Sequence, residues 1–200
     1  VVFIFYFLAS ALYGQYAYSR ERADFFVIPS LYQEGFDWLN THAQAGSVVA
    51  TYSLAGNIDL QMHTVHKIFL PFGLSSIAPQ EELWQRYMAL SALWGVDEEH
   101  FALSIREGGG ANYLFGDQYG DHTFDANFFE FHWRIPDEVI AEKGAVYANM
   151  LRTKEPIMRM YRMDYLFIDM VEFPSWKEPR QFLPSLTKVY DNGRVMIYSL

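Results

Sequence analysis

The chain has no cysteine in its 200 residues, which excludes disulfides, thiolate metal sites and a cysteine nucleophile but does not choose a compartment, since many extracytoplasmic proteins also lack cysteine. It is also poor in positive charge. Lys plus Arg total 15 against 24 Asp plus Glu, a net charge of −9, so there is no broad basic surface for a phosphate backbone and nucleic acid is excluded as a partner. No G-x-S-x-G elbow and no H-E-x-x-H helix occurs, which leaves serine-hydrolase and zinc-protease chemistry without support. Walker and dinucleotide spacings are absent too: Gly108-Gly109-Gly110-Ala111-Asn112 lacks the Gly-Lys-Ser/Thr ending and the G-x-G-x-x-G spacing, so it is read as a hinge and no cofactor is implied. Proline is scarce, with 8 residues, and no low-complexity tract is present.

What the chain does have is apolar and aromatic bulk. Hydrophobic residues make up 51% and aromatic residues 18%, enough for a packed core and incompatible with a disordered chain. The length suits one domain, or one domain with an appendage.

That appendage is expected at the start. Val1 to Tyr13 carries no charge, and at about 1.5 Å per residue it reaches roughly 20 Å, short of the ~30 Å hydrocarbon core. Tyr13, Tyr16 and Tyr18 then lead to Arg20, Glu21 and Arg22, the order in which an aromatic belt gives way to water. Residues 1–18 are accordingly expected to be the end of a transmembrane helix and residues 19–28 a juxtamembrane linker. A signal peptide and an apolar core helix are the rivals.

From residue 29 onward, helical and strand patterns alternate. Ser30 with Gln33 has capping-box spacing and predicts a helix, running until Ala45-Gly46. Ser47 to Tyr52 is a short β-branched run expected to be a buried strand. Gly56 to Met62 reads as a short helix, Lys67 to Leu70 as a strand stopped by Pro71, and Pro79 to Trp94 as a helix with Glu81 and Glu82 in its first turn and Gly95 as its stop. Asp97 to Arg106 and a stretch beginning at Pro136 are further helices. Asp164 to Met170, nearly all apolar, predicts a central strand. Asp191-Asn192-Gly193 between two alternating runs predicts a C-terminal β-hairpin with positive φ in the turn. The expected fold class is therefore α/β: a mixed sheet flanked by helices and closed by a hairpin, with residues 29–200 forming the domain and an irregular insertion at 108–136.

Several short segments occur in a telling order: the charge-poor helix, Trp38-Leu39, Val48-Val49, Lys67-Ile68-Phe69-Leu70-Pro71, Glu81-Glu82 with Arg86, Asp164-Tyr165, and Lys188-Val189-Tyr190 through Ile197-Tyr198. In that order they resemble the C-terminal extracytoplasmic domain of polytopic bacterial membrane proteins similar to the GT-C-type glycosyltransferases. The resemblance implies an extracytoplasmic, periplasmic location at the cytoplasmic membrane, with the membrane, the transmembrane portion of the same chain or other membrane subunits, and a glycan or lipid-linked sugar as partners. It implies a lid, docking or acceptor-recognition role without catalytic residues, because such enzymes place their catalytic carboxylate in an early external loop.

Two constellations are candidate sites. Asp59, His63 and His66 fall within eight positions and could ligate zinc or iron, but a helix-to-strand change between the histidines would point them apart, so no metal is expected. In the insertion, Asp121, Asp125 and His132 are interleaved with Phe128, Phe129 and Trp133, a mixture suited to stacking on sugar rings and binding hydroxyls. A loop folded over the sheet by its own aromatics is the simpler reading. Two alternatives to the accessory-domain reading are a single-helix-anchored subunit acting through protein contacts and a free-standing enzyme with its site at 108–136.

Overall fold

The structure is a computed structural model and describes residue 13, residues 28–71 and 77–107, residues 114, 115 and 119, and residues 135–154 and 161–200. The expected membrane segment, the linker and the insertion residues Phe128, Phe129, Trp133, Asp121, Asp125 and His132 lie outside the described residues, Tyr13 and Ile28 excepted. Among the described residues no helix is long and apolar enough to cross a membrane.

The described chain runs α1 (Ser30–His42), β1 (Val48–Ala50), α2 (Leu54–His63), β2 (Lys67–Ile68), α3 (Gln80–Leu93), α4 (Glu98–Arg106), α5 (Asp137–Thr153), β3 (Tyr165–Asp169), β4 (Thr187–Asp191) and β5 (Val195–Ser199). The strands form one mixed sheet in the order β2-β1-β3-β5-β4. β1 is parallel to both β2 and β3, whereas β5 is antiparallel to β3 and β4. This is the α/β sheet with a C-terminal hairpin that the periodicity predicts.

Alternation along the strands sorts side chains to two faces. Val49, Phe167, Val195 and Ile197 pack on Tyr32, Phe36 and Leu39 of α1 and Leu60 of α2. Ala50, Leu166, Ile168 and Tyr198 face the larger core built by α3, α4 and α5, centred on Trp84, Tyr87 and Tyr147. The result is three layers, helices on both sides of a buried sheet. Four described residues of the insertion belong to that larger core: Leu114, Phe115 and Ile135 are buried, and Tyr119 packs against them. Phe115 stacks on Trp84 with ring centroids 3.7 Å apart.

Local chemistry departs from expectation at three places. The capping box at Ser30 does not form: Pro29 is the N-cap without a side-chain bond, Ser30 lies within the helix, and Gln33 donates to Asp37 along the helix instead of reaching back. The second strand stops at Ile68; Phe69 still donates its N–H to the Val49 carbonyl at 2.9 Å, and Leu70, buried like Phe69, follows before Pro71. The hairpin turn is wider than two residues. Gly193 has φ +86°, but Asn192 does not share the positive φ; its side chain instead accepts the Arg194 and Val195 N–H groups.

Candidate functional site

Two parallel strands side by side, whose onward connections lead in opposite directions, leave a crevice beyond their carboxyl ends where ligands of open α/β sheets bind. Here β1 continues through α2 to β2 on one side, while β3 continues to β4 and β5 on the other. A cavity of about 260 Å³ opens at that point, lined by Thr51, Tyr52 and Asn57 after β1, Glu172 and Phe173 after β3, and Tyr87 of α3.

Short-range bonds set each wall. After β1, the Ser53 hydroxyl caps α2 by accepting the Gly56 N–H at 2.9 Å, and Thr51 Oγ1 accepts the Ser53 N–H at 3.3 Å. Asn57, one turn into α2, donates through Nδ2 to the Ser53 and Thr51 carbonyls at 3.0 and 3.4 Å. Gly56 is required beneath this turn, because a Cβ there would lie 2.7 Å from the Tyr32 hydroxyl. After β3, the buried Asp169 accepts the Val171 N–H at 2.8 Å, and its carbonyl accepts the Phe173 N–H at 2.8 Å. That tight turn carries Glu172 and Phe173 back over the end of the sheet.

The walls are aromatic. Tyr52 stacks on Tyr87 and on Trp94 at centroid distances of 6.2 and 6.0 Å and meets Phe173 edge-on at 6.0 Å. The Tyr87 hydroxyl is 3.1 Å from Ser104 Oγ, and burial, above all, pushes it well above the ordinary phenol range. Glu172 is also raised above the ordinary carboxylate value, chiefly by desolvation and further by Asp169, with the Ser53 hydroxyl bond opposing. Asp169 itself is held by Arg194 at 3.3 Å, whose guanidinium lies 5.3 Å from the Tyr32 ring centre. Among the described residues, no Lys, Arg or His lines the cavity.

The three metal candidates have other surroundings. His63 stacks flat on Phe36 at 5.8 Å, and His66, at the approach to β2, donates through Nε2 to the Leu39 carbonyl at 3.1 Å. Asp59 is raised by burial, with His63 opposing. Among the described residues no group of three acidic or histidine side chains could hold a metal ion.

The cleft residues Thr51, Tyr52, Asn57, Glu172 and Phe173 were not singled out by composition or motif. Their only sequence signal is position, immediately beyond two apolar strand-like runs. Comparisons with protein families, curated proteins and solved structures give no match to this chain.

Proposed function

We propose that the chain is a recognition domain without catalytic residues of its own, tethered by its N-terminal apolar segment on the extracytoplasmic side of the cytoplasmic membrane. It serves a protein resembling the GT-C-type glycosyltransferases as a docking or acceptor-recognition module. The observation that supports this reading is the cleft at the carboxyl ends of β1 and β3, where aromatic faces, hydroxyls and one carboxylate converge. Glu172 has no second acid or base lining the cleft with it among the described residues, an arrangement that holds a ligand and lacks the paired groups of general acid–base catalysis. Aromatic walls with a few placed polar groups are the usual composition of a small-ligand site.

The experiment is made in the full-length membrane protein, with Phe173→Ala and Thr51→Val assayed for glycosyl transfer and for melting temperature. Transfer reduced at least tenfold with an unchanged melting temperature supports a recognition cleft. Full transfer by both variants overturns it, and so does release of the wild-type chain from membranes by alkaline extraction.

A further inference from the structure

The cleft is unbalanced in its hydrogen-bonding groups. Asn57 is 7% exposed, and its Nδ2 is committed to two backbone carbonyls while its Oδ1, fully buried, accepts nothing among the described residues. A buried acceptor without a donor is uncommon in folded proteins and calls for a partner. Glu172 adds two carboxylate oxygens, and the Ser53 hydroxyl bonds to this carboxylate. The Tyr87 and Ser104 hydroxyls are turned on each other. Acceptor-bearing side chains, one of them charged, therefore belong to a lining that holds no cationic side chain among the described residues, and three aromatic side chains stand beside them.

We propose, building on the recognition reading above, that the cleft takes a small ligand bearing a protonated primary amine. Its ammonium pairs with the Glu172 carboxylate and donates to Asn57 Oδ1, and its carbon skeleton lies against Tyr52, Tyr87 and Phe173. An ammonium has three donors and no acceptor, which complements this lining, and aromatic faces attract a cation. A phosphate would meet Glu172 without a cation to offset it. A neutral polyol satisfies Asn57 but brings no positive charge to the Glu172 carboxylate, which has no cationic side chain beside it in the lining among the described residues. At about 260 Å³ the cavity lies just below the range of about 300–1,000 Å³ common for drug-sized ligands, so one ring or its equivalent fills it.

Isothermal titration of the 200-residue chain with glucosamine, glucose and ethanolamine tests the assignment, because the first two share a ring and differ in one amine. Glucosamine is expected to bind at least tenfold more tightly than glucose. Glu172→Gln, at an exposed residue, should abolish that difference while leaving the melting temperature unchanged. Glucosamine binding tighter than ethanolamine supports an amino sugar as the amine's source, and the reverse order supports an amine headgroup. Equal binding of glucose and glucosamine by the wild-type chain, or a Glu172→Gln variant that keeps the preference, overturns the amine and leaves sugar recognition standing. No binding of any of the three at millimolar concentration overturns both.

Discussion

Gly35 and Val195 touch so closely that a Cβ added to the glycine would lie 2.9 Å from Val195 Cγ1, with the Phe167 ring at 3.0 Å. A glycine in the middle of α1 costs helix stability of about 1 kcal/mol relative to alanine, yet here it lets the helix settle onto β3 and β5. Gly35→Ala is expected to lower stability by about 1–3 kcal/mol, the overpacking cost exceeding the helical gain. Urea unfolding followed by tryptophan fluorescence measures it. A stabilised variant would show that α1 has room to lift from the sheet.

The insertion is pinned to the core at Phe115, which is fully buried and stacked on Trp84. Phe115→Ala should cost about 3–5 kcal/mol by opening a cavity under α3. Replacing Phe128, Phe129 and Trp133 with Ala is the companion experiment. If these three serve contact with a partner, their loss leaves the melting temperature unchanged while assembly or transfer falls. A Phe115→Ala protein as stable as wild type would detach the segment from the core.

Elements with one dominant signal were legible in the sequence. Pro79 to Trp94, with its acidic first turn and Gly95 stop, became α3 with Gly95 at φ +74°, and Asp164 to Met170 became the strand between β1 and β5. Where several groups competed for one partner, pattern alone misled. Gln33 has the capping spacing but finds Asp37 one turn on, and Asn192 keeps negative φ because its carboxamide organises the turn by accepting two N–H groups. The cleft was illegible for a different reason. Thr51 and Glu172 are distant in sequence, and only the parallel pairing of β1 with β3 brings the ends of the two strands together. No local period encodes that pairing.

The hairpin turn supplies a third prediction. Gly193 at φ +86° occupies a region that a β-branched residue populates poorly, so Gly193→Val should cost about 1–3 kcal/mol. Asn192 also donates to the Leu31 carbonyl at 2.7 Å, tying the turn to α1. Asn192→Ala should therefore loosen the hairpin and the start of α1 together, seen as faster amide exchange at both. Exchange confined to the hairpin would mean that the tie to Leu31 contributes nothing.

The fourth prediction is a pH dependence at the start of α4. Asp97 caps the helix by accepting the His100 N–H at 2.8 Å, and its carboxylate also meets the His100 ring at 2.8 Å. The backbone bond, then the ring, holds the Asp97 carboxyl below its ordinary value of 3.8, while Asp97 lifts His100 above 6.5. A raised histidine contributes stability that is complete below 6.5 and is lost as pH rises through its folded value; a depressed carboxyl contributes above 3.8 and is lost as pH falls through its own. Helix α4 is thus best held between those limits. Both groups are exposed, so the change is small and weakened by salt. His100→Gln should flatten the decline in melting temperature on the alkaline side while keeping the cap, and Asp97→Asn should keep the cap yet remove both slopes, since asparagine is an equally good N-cap. Proton NMR of the imidazole provides the direct check: a His100 that titrates at or below 6.5 would sink the assignment, because the ring would then gain nothing from the carboxylate beside it.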